Sequence, residues 1–316
     1  VDTPLSIAKQ GSFFVGGRDV KSDALSLQPA VAASGTVTVD QMYVRYQVPV
    51  RAQHDPIVLI HGCCLTGKTW ETTPDGRTGW DEYFLRMGHA VYVIDQTWRG
   101  RSAGDISAIN TVKSGRAPTD KLPTVFAPSR ETAWTALRFG PEYPKSYEGQ
   151  RYPLAGIDEF WKQMVPDWSG SQPKPSPTVQ ALSSLGKQLK RAVLMSHSQS
   201  GNFPFQVVQI DTAGISAIVS IEPVACPDAT ADIMPFTKIP ILVLFGDYVE
   251  LSTRWAPRLK GCREYVTAVK AAGGTADLIV LPEIGIKGNT HMLMQDSNSL
   301  EIADLLSAWI VKVTEK

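Results

Sequence analysis

Six short runs that are almost wholly apolar constrain this chain more than anything else in it: PIVLIHG (56–62), AVYVID (90–95), RAVLMSH (191–197), GISAIVSIEP (214–223), PILVLFGD (240–247) and ADLIVLPEIG (276–285). Each ends in polar or Gly residues, and none alternates. Strands buried on both faces read this way, so the runs predict a mainly parallel sheet covered by helices. The alternation in GTVTVDQMYVRYQVP (35–49) instead predicts a half-buried antiparallel strand, paired with GSFFVGG (11–17). Helices are expected over 79–87 with Gly88 as a stop, over 199–211, over 252–272 before Gly273-Gly274, and over 299–314. In the last of these Leu300, Ala303, Leu306 and Ile310 fall on one stripe.

The stretch 106–178 breaks the pattern. It is rich in Pro, Ser and Gly, carries helical patches at 128–138 and 157–165, and contains SGSQPKPSPT. A crossover between two strands does not need so many residues, so the excess is read as a cap inserted in one domain spanning 1–316, after N-terminal antiparallel strands at about 11–49. The 31 basic and 31 acidic residues cancel, which argues against a nucleic-acid partner. No apolar run is long enough to predict a transmembrane segment. Nor does a G-x-G-x-x-G precede AVYVIDQTWRG, so no dinucleotide cofactor is expected.

Reactive residue types gather where RAVLMSH runs into Ser198-Gln199-Ser200-Gly201. A nucleophile elbow needs a strand, a strained turn that exposes a serine, and then a helix whose N-terminus faces the reacting carbonyl. Ser198 fits that place, with Ser196 and Ser200 standing where small flanking residues are required. Ser196 would still lie in the strand, and Ser200 inside the helix. A serine hydroxyl needs a base. Of the five histidines, His197 is expected to point away from Ser198, His61 to be buried at a strand end, and His54 and His89 to lie at the far edge of the sheet. His291, in the loop before the last helix, remains as the base.

The order VLIHGCC, VIDQTWRGRSAG, MSHSQSG, LFGDYVE and NTHMLMQDSN…WI resembles the α/β-hydrolase family, and its details are similar to secreted bacterial carboxylesterases. The resemblance runs from about residue 40 to 314. It implies an α/β-hydrolase fold, a mainly parallel twisted sheet flanked by helices with an inserted cap. It also implies hydrolysis of a carboxylic ester through a serine acyl-enzyme, with no metal or organic cofactor. Lipase, lactonase and amidase activities would use the same groups, and a non-catalytic ligand-binding relative would keep the fold. In the family's pattern Asp95, Arg99, Gly100 and Ser102 shape the loop beside the site. The oxyanion donors expected are the backbone N–H groups of Gln199 and of Cys63 or Cys64. A thiol nucleophile is disfavoured because these cysteines follow the wrong strand. A zinc site of His61, Cys63 and Cys64 lacks ligand spacing. Met292, Met294 and Trp98 are candidates for an apolar acyl pocket, with core packing as the competing reading.

Two further expectations concern cysteines and the acid. Cys63 is expected to pair with Cys64 and Cys226 with Cys262, the first pair stiffening the oxyanion loop. With a chain that begins at Val1, these bonds point to a secreted or periplasmic protein. The expected partner is a small ester, with a homodimer left open. Many hydrolases place the orienting acid three residues beyond the glycine after PILVLF, where this chain has Val249 between Asp247 and Glu250. Glu222, at the end of AIVSIEP, is therefore assigned as the acid, with Asp247 as the alternative.

Overall fold

The computed structural model describes residues 3–315. The apolar runs become adjacent strands of one eight-stranded sheet. In chain order these are β1 (Ile7–Ser22), β2 (Gly35–Pro49), β3 (His54–Ile60), β4 (His89–Asp95), β5 (Ala192–His197), β6 (Ile215–Ile221), β7 (Ile241–Phe245) and β8 (Ala276–Val280). They lie side by side as β1-β2-β4-β3-β5-β6-β7-β8. The pairings from β4 to β8 are all parallel, whereas β2 runs antiparallel to β4 and β1 antiparallel to β2. The expected β1–β2 hairpin is longer than its alternating core, because Arg18–Ser22 continue to pair with Gly35–Val39.

Helices α1 (Trp80–Arg86), α2 (Ser107–Lys113), α3 (Arg130–Ala136), α4 (Ile157–Gln163), α5 (Pro177–Leu189), α6 (Phe203–Ile210), α7 (Ala256–Ala271) and α8 (Ser299–Thr314) complete the fold. Successive strand residues face opposite sides, as the period of two requires. Val58 and Ile60 pack with Leu182 and Leu185 of α5, Phe205 of α6 and Tyr265 of α7. Ile57 and Leu59 pack into the opposite layer with Trp80 of α1 and Ile302 and Leu306 of α8. Trp134, Phe139 and Phe160, from the stretch between β4 and β5, close that second layer. Helix α5 has no counterpart in the sequence reading, which ended the irregular stretch at residue 178. Ser176 caps its Thr178 N–H, Pro177 opens it, and Val179, Leu182 and Leu185 are buried. The run 281–284, expected as strand, is a 3₁₀ turn with Pro282 in its first turn.

This topology brings the carboxyl ends of β3, β5, β6 and β7 to one edge, where open parallel sheets bind ligands. Among the described residues, no helix is long and apolar enough to cross a membrane.

Candidate active site

The serine cluster forms a sharp turn at the end of β5. Ser198 has φ = 59°, a left-handed conformation rare for a residue with a Cβ, and a 3₁₀ segment over Ser198–Asn202 leads into α6. Two glycines permit this turn. A Cβ on Gly62 would lie 2.8 Å from the His197 carbonyl oxygen and 2.9 Å from Ser198 Cβ, and one on Gly201 would lie 2.5 Å from Pro223 Cα. The two flanking serines differ in what they do. Ser200 Oγ lies 3.0 Å from the carbonyl oxygens of Ile60 and His197 and accepts from His197 N–H, tying the turn to the end of β3. Ser196 Oγ is buried without a partner among the described residues.

Glu222 follows the last residue of β6 and is itself left-handed, with φ = 51°. It is fully buried. Its Oε2 receives His291 Nδ1 at 3.0 Å and Arg138 Nη1 at 2.7 Å, while Oε1 receives Gly246 N–H at 2.7 Å and Arg138 Nη2. Burial alone would raise this carboxyl, but Arg138 and His291 outweigh it and bring it down to about 2. Burial lowers His291 below its ordinary 6.5, and Glu222 offsets only part of that shift. His291 therefore stays neutral at pH 7. Its ring lies between those of Trp255, at a centroid distance of 4.2 Å, and His197, at 4.6 Å. His197 does not line the cavity that Ser198 borders, and donates from Nε2 to the His291 carbonyl at 2.8 Å. Burial, then the charge of His291, lowers His197 to about 3.

The alternative acids stand elsewhere. Asp247 accepts from Gly288 N–H and Tyr248 N–H at 2.7 Å each, and its carbonyl accepts from Arg138 Nε, so it braces the loop around His291 without bonding the imidazole. Glu250 is exposed. Asp296 accepts from Thr290 N–H (2.8 Å), Thr290 Oγ1 (2.7 Å) and Asn289 Nδ2 (3.0 Å), which anchors the segment carrying His291. Burial pushes Asp296 up to about 7 despite those bonds.

Cys63 and Cys64 are joined to each other, and Cys226 is joined to Cys262. The first pair borders the same cavity as Ser198, Gln199 and His291. Among the described residues, neither the Cys63 nor the Cys64 N–H donates a hydrogen bond within the protein, whereas the Cys64 carbonyl accepts from Val165 N–H at 2.8 Å. The two sulfurs lie within 4.8 Å of an Asp167 carboxylate oxygen, but bonded to each other they offer no thiolate to a metal ion. Asp167 instead pairs with buried Arg99 and accepts from Gln199 Nε2 at 3.0 Å. Arg99 reaches the Gly62 and Leu65 carbonyls, and Asp95 receives Gly67 N–H and Arg101. Ser102 Oγ donates to the Asp95 carbonyl, and a Cβ on Gly100 would lie 2.6 Å from an Asp95 carboxylate oxygen. His61 is a buried strand-end histidine, as expected, with Gly62 O and Gln96 N–H as ring partners.

The cavity, of about 290 Å³, takes much of its apolar wall from the stretch between β4 and β5: Phe126, Pro128, Ala133, Leu137, Phe160 and Met164. Met292 and Met294 are not among its walls. Both are buried in the core beside α8, because the chain turns inward directly after His291. Trp98 is likewise elsewhere, its indole N–H on Asp40. Sequence reasoning missed Arg138, Trp255 and Asp167. The only local trace of Arg138 is its place at the end of a helical patch.

A strained serine turn between a parallel strand and a helix, with a buried His–Glu pair at the neighbouring strand end, defines the α/β-hydrolase class. The solved structure of a novel bacterial esterase is 58% identical, covers 99% of this chain and 98% of its own, and superposes with a TM-score of 0.98. The chain belongs to the α/β-hydrolase family and, within it, to the group of that bacterial esterase. A fungal protein (strain ATCC 74256) named "Probable secreted lipase phiG" is 28% identical over 86% of both chains. No family profile matches the sequence.

Proposed function

We propose that the protein hydrolyses carboxylic esters with Ser198 as nucleophile, His291 as base and Glu222 as the orienting acid. The observation that carries this reading is the His291–Glu222 bond at 3.0 Å behind a cavity that both His291 and Ser198 line. Ser198 Oγ attacks the ester carbonyl and passes its proton to His291 Nε2. Collapse of the tetrahedral adduct expels the alcohol, which takes that proton and leaves an acyl-serine. Water then adds by the same route, releasing the acid and restoring Ser198. The N–H groups of Gln199 and of Cys63 or Cys64 hold the developing oxyanion. Support for those donors is the unused amide pair on a loop fixed by the Cys63–Cys64 bond.

The stretch 106–178 acts as a cap on a single domain, since its residues roof the cavity and Val165 and Asp167 clamp Cys64 and Gln199. A secreted or periplasmic location is supported by the two disulfides and the secreted fungal relative. A fluorophosphonate probe tests the nucleophile. Label on Ser198, with turnover lost in Ser198→Ala, is expected. Label on another residue, or full turnover in that variant, refutes it.

A further inference from the structure

The cavity has a polarity that ester hydrolysis alone does not require. Beside its apolar roof, the N-terminal end of α7 and the residues just before it contribute Arg254, Trp255 and Arg258 to the lining. Among the described residues, no Asp or Glu lines the cavity. Among the described residues, neither Arg254 nor Arg258 has an acidic partner within 4.0 Å, although Arg99 and Arg138 nearby are each paired with a buried carboxylate. The two cations also stand where a helix tolerates them least. The N-terminal end of α7 carries positive dipole charge and has no acidic residue in its first turn. Arg258 is half-buried, with its guanidinium 4.6 Å from the Trp255 ring centre, and Trp255 stacks on His291. This stacking fixes a charge beside the reaction centre. Burial and the neighbouring charge of Arg254 both lower Arg258, as expected for cations without a counter-ion. A planar guanidinium pair suits a carboxylate, which it can bind through two parallel N–H bonds.

We propose that the substrate is an ester that itself carries a carboxylate, such as a monoester of a dicarboxylic acid, with Arg258 and Arg254 holding the anion. The apolar cap wall then covers the chain between the anion and the scissile carbonyl. This rests on the Ser198 reading above and narrows it to a substrate class.

The test compares two p-nitrophenyl esters of matched shape, the hemi-adipate and the neutral 6-methylheptanoate. Wild type is expected to favour the anionic ester in kcat/KM by about tenfold, the advantage lying mostly in KM. Raising the salt from about 0.01 M to 0.5 M should raise KM for the hemi-adipate and leave that for the neutral ester much less affected. In the Arg254→Gln/Arg258→Gln variant the anionic-to-neutral ratio should fall toward one, and Arg→Lys at both positions should recover part of it. Equal efficiency on both esters in wild type, or an unchanged ratio in the Gln variant, overturns the proposal while leaving the Ser198 reading intact. Failure to hydrolyse either ester, with no probe label on Ser198, overturns both. The salt comparison uses unaltered protein, so it decides even if the variant does not fold.

Discussion

Glu222→Gln should damage activity and stability through separate physics, and a second substitution should separate them. Arg138 is wholly buried, and its guanidinium is neutralised by Glu222 at both oxygens. Neutralising the carboxylate strands that cation. Breaking a buried pair from one side costs about 3–5 kcal/mol, which for a chain of this size lowers Tm by roughly 5–8 °C. Turnover should fall by about 10²-fold or more, because the imidazole loses the charge that orients it and stabilises its protonated form. Adding Arg138→Met removes the stranded charge and refills its volume. The double variant should regain most of the lost Tm while its kcat stays low. The pH dependence follows from Glu222 being held near 2 against an ordinary 4.5. A carboxyl with a depressed folded pKa stabilises the fold above its unfolded value and loses that stabilisation as pH falls toward the folded one. The stability gap between wild type and Glu222→Gln should therefore be full above about pH 5 and shrink between about 4.5 and 2. Thermal unfolding read beside ester turnover checks each part. Equal turnover in wild type and Glu222→Gln, with Asp247→Asn inactive, would refute the assignment. A double variant no more stable than Glu222→Gln would refute the stranded-charge argument.

The kcat/KM profile against pH should have its acidic limb centred below 6.5, because burial lowers His291; a midpoint at or above 6.5 contradicts this. Asp296 works with the opposite sign from Glu222. Its folded value of about 7 lies above the ordinary 3.8, so wild type should lose stability relative to Asp296→Asn as pH rises from about 4 to 7, measured by urea unfolding. Parallel curves would show that it does not titrate there. Cys226→Ser/Cys262→Ser opens a bond between residues 36 apart and should cost up to roughly 4 kcal/mol with kcat kept. Cys63→Ala/Cys64→Ala should instead lower kcat by about tenfold, less than the 10²–10³-fold cost of losing a whole oxyanion donor. An unaltered kcat there would mean the loop needs no tether.

The sheet was legible because strands buried on both faces leave an uninterrupted apolar record, and β3 to β7 each lie within a residue or two of such a run. The strained turn at Ser198 was legible because it restricts side-chain size, and the contact of Glu222 with His291 because an acid ending a buried strand needs a partner. Arg138 left no comparable mark. It sits in a Pro-rich stretch 84 residues from Glu222, and only folding makes it the counter-ion of that acid. Met292 and Met294 misled for the opposite reason. Adjacency to His291 in sequence suggested the cavity, but one residue later the backbone had already turned into the core.

Ser198 and Glu222 follow the ends of β5 and β6, which are hydrogen-bonded neighbours with His197 opposite Ile221 in register. Their separation is thus set by the ladder itself, and any flexing of the sheet carries both along together. His291 alone rides on a loop, held by Asp296, His197 and Leu137 O. Mechanically, the assembly has one adjustable part on a fixed frame. Slow fluctuation of the site should then be confined to the segment 289–296, whose amides would exchange with solvent before those of β5 and β6.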